Sequence, residues 1–243
     1  TTGFEVPSTR SVTNLLVDNA NGITLSGGNI EVVNILALTN GIVTTNATNY
    51  ITHGSSTVEG SLQGGSATAY INGPIVRTIA NANTGFVLFP VGKSNYSPIS
   101  LSPLTTSVAI FKAEAFGSNT GTANPAIINL SANRRWETSL ISGTFTTTKV
   151  RLADALIGNT NIPVQALAAA GAYTSSYGST ALFTAGTPNI IESVNAVNAT
   201  DFTGFVSFAT ANVCSGTPNP GNTVSSVSTI CLGESVNLSL QND

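Results

Sequence analysis

Residues able to do acid-base, nucleophilic or metal chemistry are few in this chain, and their spacing brings little together. The only histidine, His53, lies in Ile51-Thr52-His53-Gly54-Ser55-Ser56. A Ser-His-Asp triad would have to use it, yet no Gly-x-Ser-x-Gly elbow surrounds any serine. Beside a Gly-Ser turn, a lone histidine reads as a surface residue. A glycosidase needs two carboxylates about 5 to 9.5 Å apart. The first part of the chain offers only Glu5, Asp18, Glu31 and Glu59, and no repeat step sets two of them side by side. A lyase would need a base near bound calcium, but Arg10 and Arg77 are the only basic residues before Lys93, and no Asp cluster suits Ca²⁺. Gly60-Ser61-Leu62-Gln63-Gly64-Gly65 lacks the Lys-Ser/Thr of a phosphate loop and reads as a turn. Two cysteines, Cys214 and Cys231, stand 17 residues apart. In an oxidising setting they are disulfide candidates, worth about 3 kcal/mol if they close that loop, though spacing leaves open whether they pair with each other. Zinc is disfavoured, because His53 is remote and no third cysteine exists.

Arg134-Arg135-Trp136-Glu137 is the densest cluster of charge and aromatic surface. It has two readings. Trp136 could stack on a sugar ring while Arg134 or Arg135 bonds hydroxyls, making a glycan contact. Alternatively Trp136 fills a sheet core with the arginines flanking a strand start, which is the usual place of a lone Trp on a strand. No catalytic residue, cofactor or metal is expected.

Composition explains the scarcity. Of 243 residues, 8 are Lys or Arg and 11 are Asp or Glu, so 8% are charged against roughly 25% in an average soluble protein. Thr (34), Ser (27) and Asn (26) replace them, while 41% of the chain is hydrophobic. A net charge of -3 with scattered basic residues gives no footprint for nucleic acid. No apolar run of about 18 residues exists, so no membrane span is expected. Hydrophobicity is too high and net charge too low for general disorder. Thr1 to Arg10 has no apolar leader segment, so an exported form would have lost its leader or would begin inside a longer chain.

The elements that must position these residues are strands. Residues 1–72 hold short β-prone runs such as Leu15-Leu16-Val17, Ile30-Glu31-Val32-Val33 and Ile35-Leu36-Ala37-Leu38, punctuated by Asn21-Gly22, Gly27-Gly28 and Asn40-Gly41. Aligning Asn21-Gly22-Ile23 on Asn40-Gly41-Ile42 gives a 19-residue step. Short strands and a period near 20 suit a parallel β-solenoid, whose coils bury their apolar faces by stacking. A meander of hairpins is the competing reading. The brevity of the runs and the persistence of the repeat favour the solenoid. Across 73–212, longer runs separated by Pro, Gly and Asn, including Val108-Ala109-Ile110-Phe111-Lys112 and Gly204-Phe205-Val206-Ser207-Phe208, read as an antiparallel β-sandwich. One stretch, Val164 to Ala170, is compatible with a helix. Residues 213–243 read as a Pro/Gly-rich linker and the start of a further domain. The fold expected is therefore all-β: a short parallel β-solenoid followed by an antiparallel β-sandwich.

Ala69-Tyr70-Ile71-Asn72-Gly73-Pro74-Ile75-Val76-Arg77-Thr78, then Gly85-Phe86-Val87-Leu88-Phe89-Pro90-Val91-Gly92 and Tyr96-Ser97-Pro98, resembles a module of large modular cell-surface adhesins of Bacteroidetes-type bacteria. Cys231-Leu232-Gly233-Glu234-Ser235-Val236-Asn237-Leu238 is similar to the first strands of the Ig-like repeats of such proteins, where an early cysteine often pairs with a later one. The resemblance implies type IX secretion, a place outside the cell at the outer membrane, and adhesion or gliding motility. The partners it implies are a surface polysaccharide or solid substratum, the secretion machinery, and further copies of the chain by self-association. Two other readings remain: a subunit of an extracellular filament, and the non-catalytic part of a secreted carbohydrate-active enzyme.

Overall fold

The computed structural model describes residues 6–212, 223–225, 229 and 235–240. All regular elements among them are β-strands, and no helix occurs. The expected all-β class therefore holds. Cys214, Cys231 and the linker after Asn212 lie outside the described residues. Beyond them, Thr223–Ser225 pairs antiparallel with Leu238–Leu240.

The chain begins as a parallel winding. Ser11–Asp18 pairs in parallel with Ile30–Asn40, which pairs in parallel with both Ile51–His53 and Ser61–Gly64; Ile51–His53 then pairs in parallel with Ile75–Ile79. A second wall stacks Ile23–Thr24, Val43–Thr44, Ile71–Asn72 and Val91–Lys93, again in parallel. Alternating apolar residues make this possible: Ile30, Val32, Leu36, Leu38, Val43, Ile51 and Ile71 all point into one core. Between them, Thr24, Thr44 and Asn72 fall in register along the second wall.

The rung length corrects the 19-residue step. Ile23 stacks on Val43, a step of 20, and Ile30 on Ile51, a step of 21. Irregularities between Val12 and Asn14 and between Val17 and Asp18 absorb the extra residues on the long wall. Three local expectations also change. Ile30–Asn40 is one strand of 11 residues rather than two short runs. Ser61–Gly64 is a strand paired with Ile35–Leu38, not a turn. Asn161–Ala166, which overlaps the start of the helix-compatible stretch at Val164 to Ala166, pairs antiparallel with Phe205–Ala211, so tertiary pairing overrides local propensity there.

The first sheet does not stop at 72/73. Ile75–Ile79 pairs antiparallel with Ala109–Phe116, which pairs with Arg135–Ser142, which in turn meets Phe205–Ala211. The result is a single ten-stranded mixed sheet. A six-stranded sheet, with Ile99–Thr105 and Phe145–Asp154 at its centre, carries the other side of the core. Two corners carry the chain between the sheets, and they lock together. Thr106 donates its N–H to Thr144 O (3.0 Å), and Thr144 donates its own to Ser107 Oγ (2.9 Å). Phe111, Trp136, Phe145, Val150 and Leu152 fill the space between and join the same apolar cluster as Val17 and Leu36.

Candidate functional site

Trp136 is fully buried, and its Nε1–H donates to Ser97 O at 2.7 Å. No ring face is open to a sugar, so the glycan-stacking reading of Trp136 is corrected: strand alternation turns it inward, toward Phe208. Arg134 is buried as well. Its Nε donates to Asp154 Oδ2 (2.7 Å), and its NH1 donates to Lys93 O and Phe116 O. Ser97 Oγ adds a further bond to Asp154 (2.7 Å). This guanidinium neutralises a buried carboxylate and has no path to a glycan. Arg135 turns outward, but its fork is occupied. It lies 4.1 Å from the Phe116 ring centroid and donates to Glu137 Oε1 and Ser118 O.

His53 is not the surface residue expected; it is fully buried. Its Nε2 lies 3.1 Å from Asn34 O, which can only accept, so Nε2 carries the proton and Nδ1 is left without a partner. Burial first, and then the neighbouring Arg77, hold its pKa down at about 4. A neutral ring enclosed beside an arginine serves packing, not proton transfer.

The open chemistry lies elsewhere. Glu114 on Ala109–Phe116 stands directly opposite Glu137 on Arg135–Ser142, and Lys112 stands opposite Ser139. Strand alternation places all four on the outer face. With Thr138, Thr203 and Phe205 they line a groove of about 200 Å³. Burial is the main cause that raises the Glu114 pKa; Lys112 opposes it, Glu137 adds to it, and Lys93 and Arg135 oppose it further. Among the described residues, Glu114 accepts no hydrogen bond and Lys112 forms no ion pair, while Glu137 Oε1 is held by Arg135.

This groove shares Thr138, Ser139 and Thr203 with a second, of about 350 Å³, on the inner side of the strand, lined also by Leu140, Phe145, Ala199 and Phe202. The opening follows from strand divergence. Arg135–Ser142 meets Phe205–Ala211 only at Trp136↔Val206 and Glu137↔Phe205, with two further bonds to Gly204 O, from Thr138 N–H (2.8 Å) and Thr138 Oγ1 (3.2 Å). Gly204, at φ +79°, makes that last approach, and a Cβ there would lie 1.9 Å from Thr138 O. Phe145 and Phe202 pack edge to face at 5.7 Å and floor the wider groove. Sequence reasoning missed Glu114 and Glu137 because they meet only through the register of two strands. The one available signal was Glu114 two residues past the strand-like run Val108–Lys112 and Glu137 at the end of the charged cluster Arg134–Glu137.

Family models, curated proteins and solved structures were all compared with the chain, and none matches it.

Proposed function

We propose that the chain is a structural and adhesive segment of a secreted bacterial cell-surface protein, mediating attachment or gliding motility through many weak contacts. In this reading residues 1–72 form a short β-solenoid, 73–212 a β-sandwich, and 213–243 a linker and the start of an Ig-like repeat. The protein is exported by the type IX route and works at the outer membrane, against a surface polysaccharide or a solid substratum. It is non-catalytic. The supporting observation is the continuous sheet from Ser11–Asp18 through Ile75–Ile79 to Phe205–Ala211, with one apolar core running from Val17 to Phe208 and a second, smaller one at Ala209 and Ala211. A winding and a two-layer body that share hydrogen bonds and core transmit force as one unit. Low charge adds to this, since contacts made by hydroxyls and amides vary little with salt. Beads coated with the purified chain should adhere to polysaccharide-coated glass under flow at both low and high salt. Adhesion no greater than that of uncoated beads would remove the reading.

A filament subunit is the second reading, favoured by the outer edge of Ser11–Asp18, which no strand among the described residues pairs and where Leu16 is 64% exposed. Electron microscopy of concentrated protein distinguishes the two: helical order supports the filament, and separate particles oppose it.

A further inference from the structure

Resting on the adhesive reading, we propose that the paired grooves around Ser139 and Thr203 form a binding site for a neutral polysaccharide, with Lys112, Glu114 and Glu137 bonding its hydroxyls. The argument is one of unfilled hydrogen-bonding capacity. Lys112, whose ammonium stands over the Tyr50 ring at 5.9 Å from its centroid, is bonded to no described carboxylate, and Glu114 offers two acceptor oxygens that no described donor fills. Glu137 Oε2 adds an acceptor on the strand opposite. The Glu114 oxygens keep contact with solvent, so a ligand entering the groove can reach them.

The mixture of charges selects the ligand class. A divalent cation would suit two carboxylates, but Lys112 on the same groove wall repels it. An acidic polysaccharide or a phosphate would suit Lys112 and Lys93, but Glu114 repels it, and Arg135 is already taken by Glu137, so the wall is close to balanced in charge. A neutral sugar presents donors to Glu114 and Glu137 and acceptors to Lys112 in the same few ångströms. Beyond Ser139 and Thr203 the lining turns apolar, with Phe145, Phe202 and Leu140, which suits the C–H faces of the next residues of a chain. The site is thus a short polar subsite on the outer face of Arg135–Ser142 that meets, around the rim at Ser139 and Thr203, an aromatic-floored one on the inner side of the same strand.

Affinity electrophoresis tests this with the purified chain in gels containing dextran, laminarin, xylan or galactomannan, and alginate as the acidic control. At least one neutral polymer should retard the wild-type chain and alginate should not. Glu114→Ala and Lys112→Ala should each weaken retardation about tenfold, as expected for the loss of a charged hydrogen bond. Circular dichroism should show an unchanged fold. Glu114→Gln, which keeps the shape and one acceptor, should lose less. Retardation that all variants share with wild type would overturn the site while leaving the adhesive reading intact, as would the absence of retardation from a chain that still adheres in the bead assay. Release of reducing ends by the wild type would overturn it in favour of a hydrolase. Retention of an uncharged peptide but no polysaccharide would overturn it in favour of strand addition at Leu140.

Discussion

His53 and Arg77 occupy matched positions on adjacent parallel strands, Ile51–His53 and Ile75–Ile79, and both side chains are buried. Arg77 satisfies part of its fork on Gly60 O and Leu88 O, while its Nε and His53 Nδ1 find no partner. A second positive charge here has nowhere to go. The folded pKa of His53, about 4, lies below its ordinary value of 6.5. The unfolded chain therefore binds a proton that the folded one refuses. Stability from this residue is complete above pH 6.5 and is lost as pH falls toward 4, by on the order of 3 kcal/mol. In urea unfolding, His53→Gln should be less stable than wild type at pH 7.5, and the gap should narrow or reverse by pH 4. Parallel pH profiles for the two proteins would refute the assignment.

Arg134 and Asp154 are a second buried pair, bonded at 2.7 Å and joined by Ser97. Removing one partner strands the other. Arg134→Met should cost about 3 to 5 kcal/mol, and Arg134→Met with Asp154→Leu much less, because the apolar pair leaves no uncompensated charge. Chemical denaturation of both variants measures the difference. Equal losses would mean that the pair contributes through its other hydrogen bonds, to Lys93 O and Phe116 O.

What the sequence made legible follows the range of the interactions. Asn21-Gly22 and Asn40-Gly41 were readable as turns because a positive φ is a local demand, and Gly22 and Gly41 meet it at +70° and +92°. The alternation of Ile30, Val32, Leu36 and Leu38 was readable for the same reason. The rung step was not, because the irregularities after Val12 and Val17 are set by the neighbouring strand. Trp136 had an inward and an outward reading, and only the packing of Phe208 and Ser97 around it decides between them. Glu114 and Glu137 lie in separate runs, and nothing local says that those runs pair in a register that opposes them.

Gly204 joins two strands where no side chain fits. It sits at φ +79°, and an added Cβ would fall 1.9 Å from Thr138 O. Gly204→Ala must therefore push Phe205–Ala211 away from Arg135–Ser142, besides straining the backbone by about 1 kcal/mol or more. Thermal unfolding should drop by several degrees. The substitution should also deform the groove wall at Thr203. Gly85→Ala is the control: it has an ordinary φ, and only the Asn83 side chain, at 3.9 Å, is near its Cβ position. It should change neither property. An unchanged melting temperature in Gly204→Ala would mean that the two strands part there without cost.

Glu114 faces Glu137 directly across the strand pair, and like charges in that position are unfavourable by about 0.2 to 1 kcal/mol. Burial and Glu137 both raise the Glu114 pKa, so the folded chain takes up a proton more readily than the unfolded one. The sign is opposite to that of His53: Glu114 costs the folded state stability as pH rises through its folded pKa, and costs little well below it. Glu114→Gln should accordingly be more stable than wild type at pH 7 by a few tenths of a kcal/mol, an advantage that disappears near pH 3. A stabilising substitution that weakens polysaccharide retardation would identify the repulsion as a cost retained for binding. If Glu114→Gln instead destabilises at pH 7, the cations around this carboxylate, Lys112, Lys93 and Arg135, outweigh burial and Glu137 together, and the groove would carry an internal ion pair in place of a vacant acceptor.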